Sequence, residues 1–374
     1  MKKILITATV QSHIAQFHKP LINMLKSKGY EVHIAAKNNL IEKNGLQIEN
    51  ADKIYNIPFS RSPKSMDNIK AYKELKKIIS ENEYEIIHCN TPMGGVITRL
   101  AALKARKNGT LVFYTAHGFH FFKGASMINW LFYFPVEWML SFFTDCLICI
   151  NDEDFKRAKK HFQAKKTEYI PGVGVNPDRY KPVNDEEKSE LRRQFGYDDD
   201  EFIIICTGEL NKNKNQAFLI DAFAEVIKNN KNVKLLLAGN GPKKEELENQ
   251  VKKLNLEKQI DFLGYTTILE QYIELSDLVV SVSIREGLPL NIIEGMLCKR
   301  PIVASKNRGH LDLIINGENG YLVNNFDISE LKEKIEVMIN DSEKYKKMTE
   351  SSLKIAQKFT VENSVKELER IYGF

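Results

Sequence analysis

Two glutamates, two lysines and one histidine have the residue types and spacing to do chemistry in this chain. Glu286 and Glu294 stand eight positions apart around Gly287-Leu288-Pro289-Leu290-Asn291. The apolar, β-branched run from Leu278 to Ser283 predicts a buried strand, and Pro289 suits the first position of a helix, where its missing N–H costs nothing. The loop Arg285-Glu286-Gly287-Leu288 therefore feeds a helix start, whose free N–H groups and positive dipole end favour a phosphate. A carboxylate aimed at a diphosphate would be repelled. Both glutamates are accordingly read as acceptors for hydroxyl groups on either side of it, a ribose on one side and a sugar on the other, with Leu290 and Asn291 in the same site. Lys212 and Lys214 lie in the turn Gly208–Asn215 after a predicted strand, Phe202–Thr207. Two cations in such a turn make a diphosphate clamp, or else a solvated polar turn. His117, in Thr115-Ala116-His117-Gly118, follows another strand end, where a cleft residue belongs.

The elements that must carry these residues alternate. Strand Lys3–Thr9, a helix over Ile14–Lys28 closed by Gly29, and strand Val32–Ala36 begin a right-handed, parallel βαβ series. Strands Glu85–Cys89, Leu111–Thr115 and Cys146–Ile150 continue it. The charged stretch Pro182–Asp200 breaks the apolar rhythm and reads as a boundary. A second series then opens with Phe202–Thr207, Val233–Ala238 and Ile260–Phe262. The predicted class is α/β, with two doubly wound, Rossmann-like domains facing one another across a cleft. Expected spans are 1–182, 183–358 and a C-terminal helix within 359–374. Ligands in such sheets bind beyond the carboxyl ends of the strands.

Composition agrees with a globular protein of this kind: 374 residues, 43% hydrophobic and 28% charged. Net charge is +5, unevenly shared, with 26 lysines and arginines against 16 acids in residues 1–180. Five scattered cysteines and no signal peptide predict a reducing cytoplasm. Cys146 and Cys149 fall in one short strand with no second pair at zinc spacing, and they read as core.

The Glu286-x7-Glu294 pair in its strand–loop–helix context, together with the lysine turn, resembles glycosyltransferase family 4, the retaining enzymes of GT-B fold, over nearly the whole chain. That resemblance implies roles. Glu294 binds the ribose hydroxyls, Glu286 the donor sugar, and Lys214 the diphosphate. The family commonly has an arginine after the glycine of the lysine turn. Here that place holds Glu209, a charge reversal, and Lys212 is the candidate substitute. Gly208 and Asn240, in glycine turns, flank the nucleotide, and Tyr265 lies on the base side. His117 matches the family's cleft histidine, which contacts the donor sugar. Ser12, His13 and His120 are assigned to the acceptor side, although the first loop, Thr9–His13, lacks the family's paired glycines. The C-terminal helix, Val361–Tyr372, is expected to cross back to the first domain.

The reaction implied is transfer of a hexose or N-acetylhexosamine from a nucleotide sugar, UDP-linked, to a saccharide on polyprenyl diphosphate, in capsule, exopolysaccharide or glycan assembly. The alternative is a GT-B nucleotide-sugar epimerase or phosphorylase. No Asp-x-Asp motif ends a strand of the second half, and neither a metal nor a cofactor is expected, the nucleotide sugar being a co-substrate. The absence of G-x-G-x-x-G after the first strand argues against a nicotinamide enzyme. No nucleic-acid partner is expected. Ser126–Phe143 is the most apolar and aromatic segment and holds both tryptophans, but Pro135 and Glu137 interrupt it and it is too short to span comfortably. It reads as a core helix of the first domain, or as a helix whose aromatic face reaches a membrane interface beside a basic face of Lys64, Lys70, Lys73, Lys76 and Lys77. The expected location is the cytoplasm, at the inner face of the cell membrane on the second of these readings.

Overall fold

The computed structural model describes residues 2–41 and 46–374. The chain divides into two compact units, Met1–Val173 with Val361–Phe374, and Gly174–Thr360. The first passage between them falls earlier than residue 182, and Arg179, for example, pairs with Glu270 of the second unit at 2.8 Å.

The first unit is built on a sheet of seven parallel strands: β1 (Lys3–Val10), β2 (Glu31–Lys37), β3 (Lys53–Asn56), β4 (Tyr84–Asn90), β5 (Leu111–Ala116), β6 (Cys146–Cys149) and β7 (Lys166–Tyr169). Their order is β3-β2-β1-β4-β5-β6-β7, so the winding reverses between β1 and β4. Ile4, Leu5, Ile6, Ile34 and Ile87 are fully buried in the inner strands, because helices cover both faces of a parallel sheet. β3 and β7 were not apparent in the sequence. Both are four-residue edge strands without an apolar run, KIYN and KTEY. Cys146 and Cys149 are buried and unpaired in β6, in agreement with a core role.

The helix predicted as continuous over Ile14–Lys28 is two helices, Gln11–Phe17 and Lys19–Ser27, with His18 between them. Pro20 causes the break, since it has no N–H to continue the helical ladder and suits the first turn of the next helix. The C-terminal helix, Val361–Tyr372, belongs to the first unit as expected. Its Tyr372 hydroxyl bonds His88 Nδ1 at 2.6 Å, and Glu369 pairs with Lys28 at 2.8 Å.

The second unit holds β8 (Phe202–Thr207), β9 (Val233–Ala238), β10 (Ile260–Gly264), β11 (Leu278–Ser281), β12 (Ile302–Ser305) and β13 (Gly320–Val323). Their order, β10-β9-β8-β11-β12-β13, is again parallel and reverses between β8 and β11.

Two expectations need correction. The charged stretch 182–200, read as a boundary, lies inside the second unit. It contains a helix, Asp185–Phe195, opened by a capping box between Asn184 and Glu187 and closed by left-handed Gly196. Arg192 on this helix is buried, bonding Asp277 at 2.7 Å and the carbonyls of Leu275, Asp199 and Glu201. Charge density there marks a helix held by ion pairs rather than by an apolar stripe.

The second correction concerns the apolar segment. Helix Met127–Ser141 is not a core helix, because its buried residues are Glu137, Leu140 and Ser141. Glu137 pairs with buried Arg99 at 2.8 Å, and the Arg99 guanidinium lies 4.0 Å from the centre of the Tyr114 ring. An unpaired buried arginine is costly, so the helix turns its single acid inward. Met127, Ile128, Leu131, Phe132, Trp138 and Met139 are left exposed.

Candidate active site

The reversal point of the second sheet places the loop after β8 against the loop after β11, where ligands bind in open α/β sheets. Asn213 stitches the two loops together: its carbonyl accepts from Ile284 N at 2.8 Å and its amide donates to Arg285 O at 3.0 Å. Within the lysine turn, Asn211 Oδ1 accepts from Lys214 N, and Asn215 takes a left-handed backbone with φ 58°. This folding aims Lys214 at Glu286, with Nζ 2.7 Å from Oε1, both side chains largely shielded from water. Burial alone would raise the Glu286 carboxyl, but the Lys214 ammonium overrides it and holds the group ionised below its usual range.

Glu294 lies on helix Leu290–Leu297, which Pro289 caps rather than begins. Desolvation pushes its carboxyl up to about 7, opposed by the Arg179 guanidinium and the Tyr180 hydroxyl. The two glutamates are thus electrostatically distinct: one is fixed as an anion, the other is poised near neutrality. Leu288 is buried, Leu290 and Asn291 are partly buried, and Asn291 Nδ2 donates to Thr207 O at 3.1 Å, tying the helix start to β8. Lys212 is exposed on the turn, and the Glu209 carboxylate accepts from Asn211 Nδ2 at 2.8 Å.

The glycines of the two turns have a packing reason. A Cβ on Gly239 would sit 2.0 Å from Gly208 O, and one on Gly241 would sit 2.3 Å from Leu210 O. The loops after β8 and β9 pack backbone to backbone, so side chains there would separate them. Gly264 at the end of β10 is left-handed and approaches Asn240 Oδ1, while Tyr265 beside it is exposed.

Three residues of this region escaped the sequence reading. His310 is wholly buried after β12, where Ser281 Oγ and Ser305 O hold its ring at 3.1 and 2.6 Å, and burial pushes it down to about 4. Gly309 passes so close that a Cβ would meet Glu286 Cβ at 2.9 Å, and Arg308 Nε bonds Glu286 O at 3.2 Å. The Arg308-Gly309-His310 turn thus backs the Glu286 loop. A histidine just past a strand end was the available signal.

In the first unit, the expected first loop, Thr9–His13, is instead the end of β1 and the start of helix Gln11–Phe17. The reversal point between β1 and β4 gathers this helix start, Asn90 and His117. His117 Nε2 lies 3.1 Å from Asn90 Oδ1 and 3.3 Å from His13 Nε2. Burial pushes His117 down to about 4, and His13 well below its usual value, so both rings are neutral. Ser12 is buried and exchanges two hydrogen bonds with Asn39, through its backbone N and its Oγ. His120 is apart from this group, stacked on Tyr133 with ring centres 4.6 Å apart.

Comparison with known proteins agrees with this architecture. Residues 187–354 match the family of glycosyl transferases group 1, and residues 3–151 match the glycosyl transferase 4-like family. The Bacillus subtilis protein EpsD, assigned as a glycosyltransferase, is 42% identical over 373 residues, covering 100% of this chain and 96% of its own length. An Escherichia coli UDP-Gal:alpha-D-GlcNAc-diphosphoundecaprenol alpha-1,3-galactosyltransferase is 26% identical, covering 82% of this chain and 81% of its own. Among solved structures, Anabaena HepE in complex with UDP and glucose superposes with a TM-score of 0.79 at 23% identity, over the full length of both chains. The chain is a glycosyltransferase of GT-B fold and belongs to family 4, with a 4-like first domain and a group 1 second domain.

Proposed function

We propose that this enzyme moves a hexose or N-acetylhexosamine from a UDP-sugar, with retention of configuration, to a saccharide carried on polyprenyl diphosphate. The observation that carries the donor half is the Lys214–Glu286 pair at the reversal point of the second sheet, with Glu294 eight residues on. Both groups have a use once the donor arrives. The Lys214 ammonium turns to the diphosphate, whose developing charge it stabilises together with the start of helix Leu290–Leu297. Glu286, released from its lysine and still ionised, accepts a hydroxyl of the sugar. Glu294 accepts the ribose hydroxyls, while Gly208, Asn240 and Tyr265 lie along the nucleotide and Lys212 adds charge from the exposed side of the turn. In the reaction, the bond from the anomeric carbon to the phosphate oxygen breaks as the acceptor oxygen bonds on the same face. The acceptor proton passes to the leaving phosphate. His117 contacts the sugar, with Ser12, His13 and His120 on the acceptor side.

The UDP reading is supported by the names of similar proteins: the E. coli relative uses UDP-Gal, and HepE was solved with UDP. The acceptor reading is supported by that same relative, which acts on a diphosphoundecaprenol-linked sugar, and by helix Met127–Ser141. Eight exposed large apolar side chains on one helix of a basic unit suit the interface of an anionic membrane, where such an acceptor resides. Among the described residues no helix is long and apolar enough to cross a membrane, so attachment would be peripheral. Proton NMR of the product formed from a UDP-sugar and a lipid-linked acceptor tests the chemistry. An α-linked product from an α-linked donor is expected, and an inverted product would overturn the reading. Flotation with anionic liposomes tests the surface. Binding lost in Phe132→Glu is expected, and equal flotation of parent and variant would remove this helix from the account.

A further inference from the structure

A third imidazole converges on the His13–His117 contact. His18 stands between helices Gln11–Phe17 and Lys19–Ser27, where Pro20 breaks the chain, and it is 4% exposed. Its ring centre lies 5.2 Å from that of His13 and 5.5 Å from that of His117. One ring nitrogen from each of the three residues falls within 4.8 Å of the others. We propose that His13, His18 and His117 form a binding site for a divalent transition-metal ion of the zinc type, with one coordination position open.

Donor chemistry selects the class of ion. Three imidazoles with no carboxylate among them suit zinc, cobalt, nickel or copper, and offer nothing to magnesium or calcium, which require oxygen. Geometry agrees. Zinc–nitrogen bonds of about 2.0–2.1 Å in a tetrahedron place donors roughly 3.3 Å apart. The Nε2 atoms of His13 and His117 are 3.3 Å apart, and the His18 nitrogen, within 4.8 Å of both donors, completes the set by a shift of up to about 1.5 Å.

Mutual hydrogen bonding does not explain the group. The single Nε2–H of His117 is shared between Asn90 Oδ1 and His13 Nε2, but His18 Nε2 is buried with no hydrogen-bond partner. Such an orphan is costly in a core. Loading the site moves the His117 proton from Nε2 to Nδ1 and exchanges the Asn90 contact for a metal bond. All three rings are already neutral, the form a metal requires.

Location supplies the last argument. The trio sits at the reversal point of the first sheet, beyond the carboxyl ends of β1 and β5, where such sheets take their ligands. Three protein donors leave a fourth position for an oxygen ligand, as in sites that meet substrate. The proposal concerns the first unit alone and is independent of how the donor diphosphate is held in the second.

The test uses the full chain without a polyhistidine tag, stripped with chelator and titrated with Co2+ while the visible spectrum is followed. One Co2+ per chain with an intense tetrahedral spectrum, displaced by Zn2+, is expected. His18→Ala should weaken binding more than about a hundredfold, beyond the loss that follows removal of an outer partner of a ligand. His161→Ala, at an exposed histidine, should leave binding unchanged. Should His18→Ala lose its cooperative thermal transition, His13→Gln and His117→Gln provide the same comparison. X-ray absorption of the loaded parent counts imidazoles directly. Three nitrogen ligands support the proposal, while an octahedral spectrum, two or fewer imidazoles, or equal affinity in parent and His18→Ala overturns it.

Discussion

The two units share a winding and differ in what they set at its reversal point. Each joins the loop after its first strand to the loop after its fourth at the carboxyl edge of a parallel sheet. In the second unit those loops bring an ion pair, Lys214 and Glu286 at 2.7 Å, on turns held close by Gly208, Gly239 and Gly241. In the first, the carboxyl ends of β1, β4 and β5 bring uncharged groups together: His13 and His117 at 3.3 Å, Asn90, and the Thr9–Thr91 hydroxyl contact at 2.7 Å. The lesson is that the topology supplies a place and the loop side chains supply the chemistry. A cation beside an ionised glutamate suits a diphosphate sugar, while neutral imidazoles suit hydroxyls or a soft cation.

The comparison breaks most readily at Lys214. Lys214→Ala should lower turnover by about a hundred- to a thousandfold, the usual loss when a single stabiliser of developing charge is removed. Rates of UDP release in the presence of acceptor measure it, and a variant as fast as its parent would make the ion pair a scaffold only.

Glu294→Ala should weaken UDP binding by roughly tenfold to over a hundredfold, the worth of a hydrogen bond to a charged group of about 1.5–3 kcal/mol. Titration calorimetry would show it. Unchanged affinity would move the nucleotide elsewhere in the second unit.

Acid should act on the first unit. His117 is depressed to about 4 by burial, so the unfolded chain binds its proton near 6.5 while the folded chain does not. Stability is therefore present above pH 6.5 and lost as pH falls towards 4. The sign is that of a group more protonated when unfolded. From pH 7 to pH 5 this one ring costs about 2 kcal/mol, and His13, His18 and His88 shift in the same direction. Urea unfolding at the two values checks this, and His117→Gln should flatten the dependence.

The smallest effect should fall in the second unit. With the Glu294 carboxyl near 7, UDP affinity should rise by up to about tenfold between pH 6 and 8, as the acceptor form becomes populated. The same titration in Glu294→Gln corrects for ionisation of UDP itself. A parent curve no steeper than the variant's would remove Glu294 from the ribose.

Much of this was readable in one dimension. Alternating apolar runs and helical spacing marked the long strands and the two parallel sheets, because burial on both faces imposes a continuous apolar run. Glu286, Lys214 and His117 stood out because each follows such a run, and a residue after a strand of a parallel sheet must sit at its carboxyl edge. Residues that follow no apolar run gave no such mark. The edge strands KIYN and KTEY are held by neighbours, and helix Asp185–Phe195 is held by Arg192 on Asp277. Helix Met127–Ser141 is inverted by a buried ion pair, Arg99 and Glu137, formed across 38 positions.

The same limit applies inside the sites. Sequence placed Lys214 and Glu286 at two strand ends, while only folding could bring residues 72 positions apart within a hydrogen bond. Sequence likewise showed eight histidines, but not that His13, His18 and His117 meet. Local pattern determines the elements that carry an apolar run and where their ends lie. Long-range packing decides which ends become neighbours and which charges are stripped of water, and so which groups are poised to react.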